Sequence, residues 1–117
     1  VTCWVDEEKQ LDAITALSGS GPAYFFLFLE AMIDAADDLG LDRKTATILA
    51  CQTALGASRM ALEDEADLIE LRRRVTSPAG TTERAITSFE EEGLREVVAK
   101  AMRAAADRAA EMAREMG

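Results

Sequence analysis

The chain has no histidine, two cysteines, two prolines and only six aromatic residues among its 117. Without histidine it can build neither a Ser-His-Asp set nor a Cys-His pair, and two cysteines alone define no disulfide framework and no metal-ligand spacing. The shortage of aromatics and prolines, with aliphatic residues and alanine in their place, favours helix over strand. Positive charge is also scarce: 13 Lys and Arg against 22 Asp and Glu leave a net charge of −9. A phosphate backbone would repel such a surface, and no basic cluster with interleaved aromatics offsets it, so nucleic acid is not an expected partner. The longest apolar run, Pro22 to Leu29, is too short to cross a bilayer, and nothing reads as a signal peptide. The default expectation is a reduced, cytoplasmic protein with no membrane partner and no metal.

Length allows one domain with a modest core. The chain begins Val1-Thr2-Cys3-Trp4-Val5 with no initiator methionine. It reads as the end of a strand or linker, as in a domain separated from an N-terminal neighbour. Residues 1–11 are taken as this linker and the start of a first helix, and 12–117 as a helical domain. Asp6 can cap a helix from Glu7 to about Ala16, with Leu11, Ile14 and Leu17 as its apolar stripe. Ser18 to Gly21 breaks it, and Pro22 at a first helical position restarts it, to about Leu39. This second helix is apolar except for one stripe, Glu30, Asp34, Asp37 and Asp38. Gly40 ends it as a left-handed cap.

Asp42 caps a third helix, Arg43 to about Glu63, which carries no charge between Lys44 and Arg59. Its Ala46, Ala50, Ala54, Gly56 and Ala57 allow close helix approach, and Cys51 within it reads as a small core residue. A short domain cannot surround two such helices, so a second copy of the chain is expected to cover them as an intimate homodimer. A fourth helix is expected from about Ala66 to Val75, with Arg72-Arg73-Arg74 as a solvated last turn where cations suit the dipole. A fifth runs from about Thr82 to Glu92, with Ile86 and Phe89 inward, and Gly93 punctuates. The sixth, Leu94 to Met116, repeats apolar or alanine positions at amphipathic spacing. Glu63-Asp64-Glu65 and Glu90-Glu91-Glu92 read as exposed turns or helix ends.

Two clusters of small residues stand out: Ser18-Gly19-Ser20-Gly21-Pro22-Ala23-Tyr24 and Thr76-Ser77-Pro78-Ala79-Gly80-Thr81-Thr82. In the second, Pro78 fixes one φ angle and biases Ser77 toward an extended shape. Ala79 and Gly80 leave the backbone accessible, and Thr81 and Thr82 add two hydroxyls and N–H groups at a helix start. A carboxylate suits such a corner, which the helix dipole favours by about 0.3–1 kcal/mol. An ordinary loop with a helix cap is the plainer reading of the same residues. The first cluster is no dinucleotide fingerprint, because no strand precedes it and no βαβ unit surrounds it.

Together these clusters resemble the C-terminal domain of pyrroline-5-carboxylate reductases. The resemblance rests on Asp12 to Tyr24, on Val75-Thr-Ser-Pro-Ala-Gly-Thr-Thr82 and on Phe89-Glu-Glu-Glu-Gly-Leu-Arg95, and it covers the chain from about Asp12 onward. It implies an all-α domain of about six helices, interlocked with a partner copy and similar to the C-terminal domain of 6-phosphogluconate-dehydrogenase-like reductases. It also implies reduction of 1-pyrroline-5-carboxylate to L-proline with NADPH or NADH, the cofactor being held by a Rossmann domain that this chain lacks. Dimers of this family assemble further, commonly into decamers. Carried over by position, Ser77, Gly80, Thr81 and Thr82 would hold the substrate carboxylate, with the Thr82 hydroxyl near the imine nitrogen as the catalytic group. Glu65 would match an acidic residue near the same pocket. Ala79 departs from the glycine of many members. The alternatives are a helical oligomerisation module without chemistry, or another oxidoreductase whose helical domain follows a Rossmann domain.

Overall fold

The computed structural model describes the backbone of residues 2–117 and the side chains from residue 7 onward. It is helical throughout: α1 (Thr2–Ile14), a π-helical turn (Thr15–Gly19), α2 (Gly21–Asp38), α3 (Arg43–Glu63), α4 (Leu68–Arg74), α5 (Thr81–Glu91) and α6 (Leu94–Met116), with no strand among the described residues. The all-α expectation holds. The chain divides into two compact units, Val1–Phe26 with Glu92–Gly117, and Leu27–Glu91.

In the first unit, α1, the π turn and α6 pack on one another. The helix expected from Glu7 already runs from Thr2, so Thr2 to Val5 are helical rather than the end of a strand, and Asp6 lies inside the helix instead of at its start. Val1 and the side chains of Cys3 and Asp6 lie outside the described residues. The break expected at Ser18 to Gly21 is a widened turn: the Ser20 N–H reaches the Thr15 carbonyl at 2.9 Å, and the Ala23 N–H the Ser20 carbonyl at 3.1 Å. Pro22 has no N–H, so the regular ladder cannot pass through it, and a π turn absorbs the mismatch. Ala16, in this turn, is 2% exposed. Gly93, at φ +81°, precedes α6, and its carbonyl accepts the Val97 N–H at 3.0 Å.

In the second unit, Gly40 adopts φ +97°. The Gly40 N–H bonds Asp37 O at 2.9 Å and the Leu41 N–H bonds Ala36 O at 3.0 Å, the two bonds of a Schellman motif. Asp42 then caps α3, its Oδ2 accepting the Thr45 N–H at 3.1 Å. Arg43 pairs with Asp34 and lies 3.8 Å from Asp37, which ties the start of α3 to the acidic stripe of α2. The cap of α4 is Asp67, whose Oδ1 accepts the Glu70 N–H at 2.9 Å. The helix therefore starts two residues later than its apolar pattern suggested, because this side chain supplies the acceptor. Arg72, Arg73 and Arg74 do form its last turn. The rings of Phe28 and Phe89 meet at 6.1 Å between centroids. An apolar hollow of about 230 Å³ lies among Met60, Ala61, Leu68, Leu71 and Val75.

Among the described residues only Ala16, Ala46 and Leu71 are buried hydrophobics, whereas Phe25 and Phe26 are 67% and 65% exposed and Ile48, Leu49 and Leu55 are also exposed. Leu11, Ile14 and Leu17 lie open as well. Cys51, expected in the core, is exposed, because α3 has too few neighbours in one copy to cover it. Glu7–Asp38, read as one helical stretch through the π turn, includes 18 residues of mean hydropathy 1.3, enough by length and composition alone to cross a membrane. The Pro22 to Leu29 run had suggested otherwise, since it ignores the flanking helix.

Candidate functional site

The second cluster forms the link from α4 to α5, inside the second unit. As α4 ends, the Val75 and Thr76 N–H groups fold back onto Arg72 O and Arg73 O at 3.3 and 3.1 Å. The Thr76 hydroxyl also donates to Arg72 O, at 2.5 Å. The chain then reverses in a β-turn over Ser77 to Gly80, with the Gly80 N–H donating to Ser77 O at 3.2 Å. Pro78 occupies the second position, whose φ it pre-sets, and Ala79 the third, at φ +59°. Positive φ at that position is the type II pattern, for which glycine is the usual residue. An L-residue there carries a strain of about 1–2 kcal/mol. Gly80 has its own reason to lack a side chain: a Cβ would stand 3.2 Å from Ser77 O.

Thr81 and Thr82 open α5. As first residues of a helix, their N–H groups have no carbonyl of that helix to bond. Ser77, Thr81 and Thr82 are exposed and Gly80 is half-buried. The loop thus gathers the four predicted residues within one turn and the start of one helix. The corner is less bare than the sequence suggested, however. The Ala79 N–H donates to Glu83 Oε1 at 3.1 Å, and the Gly80 N–H is engaged by Ser77 O. At the start of α5, the amides of Thr81 and Thr82 have no carbonyl of their own helix to bond and remain for an anion. Sequence reasoning missed Glu83, although an acidic residue in the first turn of α5 is the signal of a reciprocal cap.

A groove of about 360 Å³ runs beside the loop, lined by Ile69, Arg72, Arg73, Thr76, Pro78, Glu83, Ile86 and Thr87. None of Ser77, Gly80, Thr81 and Thr82 lines it. Arg73 pairs with Glu70 at 3.0 Å. Arg74 bridges Asp64 at 3.0 Å and Glu70 at 3.4 Å, linking the end of α4 to the corner that precedes it. That corner holds Glu65, which is exposed. Neighbouring Asp64 is held below the usual carboxylate range, first by the Ala66 N–H that it accepts, with desolvation opposing this, and further by the Arg74 guanidinium. Among the described residues no group of three or more His, Cys, Asp or Glu could hold a metal ion.

Comparison with known proteins gives this geometry its family. Residues 8–112 match the pyrroline-5-carboxylate reductase dimerisation family. The chain is 56% identical over its whole length to a pyrroline-5-carboxylate reductase of Pseudomonas aeruginosa, covering 43% of that protein. It is 48% identical to one of Vibrio alginolyticus over 94% of the chain and 41% of the relative. It thus spans about two fifths of the length of these relatives. Among solved structures, the reductase of Coxiella burnetii superposes with a TM-score of 0.85 at 55% identity, over 88% of this chain and 38% of that one. The NADP-bound pyrroline carboxylate reductase of Plasmodium falciparum gives a TM-score of 0.82 at 35% identity, over 86% of this chain and 38% of that one. An uncovered pair of apolar helices and a loop rich in small residues are therefore features of a known kind of domain: this chain belongs to the pyrroline-5-carboxylate reductase dimerisation family.

Proposed function

We propose that this chain is the dimerisation and substrate-carboxylate portion of an enzyme that reduces 1-pyrroline-5-carboxylate to L-proline with NADPH or NADH. The observation that carries the reading is the start of α5. There Thr81 and Thr82 offer two amides without helical partners, beside two hydroxyls, just after a turn in which the Ala79 and Gly80 amides are engaged. A carboxylate accepts from such amides, and the helix dipole favours its charge. Ser77 and Gly80 complete the seat. Seating the carboxylate fixes which face of the ring is presented, and orientation of this kind lowers the barrier by making the reaction effectively intramolecular.

A nicotinamide cofactor bound by the complete enzyme would supply the hydride that the imine carbon accepts. A protonated imine accepts hydride more readily, and the Thr82 hydroxyl is placed in this reading near the ring nitrogen, where it relays a proton from water. Glu65 stands as the acidic neighbour of the same pocket. Among the described residues no strand leads into a glycine-rich phosphate loop, so the chain is expected to be inactive alone.

The exposed apolar faces of α2 and α3 support a homodimer, and covering them with protein is what a soluble protein needs; further assembly up to a decamer and a cytoplasmic location are part of the same proposal. The test is Thr82→Ala in the complete enzyme: turnover is expected to fall at least about tenfold, in the range of a lost positioned proton relay, and near-parental kinetics would remove Thr82 from the reaction. A scaffold without chemistry, the rival reading, predicts no effect from any substitution between Ser77 and Thr82.

A further inference from the structure

We propose that Glu83 is a positioning residue of the substrate loop, holding Ala79 in its left-handed conformation so that the Thr81 and Thr82 amides face the substrate carboxylate. The inference rests on the reading of this loop as the carboxylate seat. Two observations meet at one peptide. Ala79 has φ +59°, the one positive φ of a non-glycine residue among those described, and its N–H is the group that Glu83 Oε1 accepts at 3.1 Å. An alanine left to itself prefers negative φ, and that change would rotate the peptide joining it to Pro78 and swing Gly80 and Thr81 out of register. The carboxylate closes the loop against the first turn of α5, to which it belongs. Gly80 gives the loop little slack, because space near its α-carbon is already taken by Ser77 O.

This brace also explains how an alanine serves where glycine is the natural choice. Glycine would adopt positive φ at no steric cost, whereas alanine needs a partner that rewards the conformation. The side chain touches the loop's backbone and borders the groove with Thr76 and Pro78. It acts on substrate only through the geometry of the residues that follow.

The test uses the complete enzyme, with 1-pyrroline-5-carboxylate varied at saturating cofactor. Glu83→Ala is expected to raise KM about tenfold and to lower kcat by a smaller factor, because a displaced seat weakens substrate binding and also misorients the ring. Glu83→Gln keeps an acceptor oxygen and should bring KM back to within about threefold of the parent. Ala79→Gly added to Glu83→Ala should recover much of the loss, because glycine needs no brace; this coupling is one that a general loss of helix stability would not produce. Should the alanine variant fail to fold, Glu83→Asp, whose reach is shorter, should raise KM in the same way. A parental KM in the alanine variant, or a glutamine variant as impaired as the alanine one, overturns the proposal. Gly80→Ala separates the two readings: if it raises KM while Glu83→Ala does not, only the role of Glu83 falls, and if neither moves KM, the carboxylate seat falls with it.

Discussion

The Tyr24 hydroxyl donates to the carbonyl of Ala16 across 2.7 Å, a bond from the second turn of α2 back into the π turn before it. A π turn leaves its carbonyls poorly aligned with the regular ladder, and Ala16 is nearly inaccessible to water, so this donor secures the turn. Tyr24→Phe keeps the ring and removes the donor. It should lower unfolding stability by about 1 kcal/mol, measured by urea denaturation at fixed protein concentration. An unchanged midpoint would mean that another donor already satisfies Ala16.

The open apolar faces give a second prediction. Ile48 and Leu55 on α3 are about half exposed in one chain. For a lone helical domain, a charge at either position would change stability by no more than about 0.5 kcal/mol. For an interlocked dimer, it would bury an unpaired carboxylate and forbid association. The chain should therefore sediment as a dimer at micromolar concentration, and Ile48→Glu or Leu55→Glu should shift it to monomer. A parent chain that stays monomeric under those conditions would contradict the dimer.

Gly80→Ala offers a test of the loop itself. Its new methyl would sit 3.2 Å from the Ser77 carbonyl, so the turn must open slightly. We expect a loss of about 1 kcal/mol in stability, read by thermal unfolding, and a raised KM for the substrate of the complete enzyme.

Acid sensitivity follows from Asp64. Its folded-state pKa lies below its ordinary value, chiefly because it accepts the Ala66 N–H and secondly because of Arg74. The carboxylate therefore contributes stability that is fully present above the unfolded value of about 3.9 and is lost as pH falls through the lower folded one. Asp64→Asn should be less stable than the parent near neutral pH. The two curves should converge as pH drops below about 4, and salt should narrow the gap at neutral pH by screening Arg74. A gap that persists at pH 2 would assign the effect to packing rather than to charge.

Much of this fold was legible because its boundaries are written in local chemistry. Asp42 with Thr45, and Gly93 before Leu94, marked the starts of α3 and α6 where the structure has them, and Gly40 marked the end of α2 through a conformation that glycine adopts readily. Asp67 was passed over because alanine and leucine around it continue the apolar pattern, and only the hydrogen bond to Glu70 identifies the cap. The π turn left no periodic signature; it is a response to Pro22 inside an otherwise continuous helical run. At the site, the turn over Ser77 to Gly80 could be expected from Pro78 and Gly80. Which of its amides stay open could not, since Glu83 reads equally well as a solvated first-turn acid.

Composition and spacing alone thus specified helices, their order and the loop that joins α4 to α5, because capping, turn preference and amphipathic period act between residues close along the chain. The left-handed Ala79, its engagement by Glu83 and the exposure of Cys51 came from three-dimensional packing. Each depends on what a group finds around it in space, which residues close along the chain do not fix.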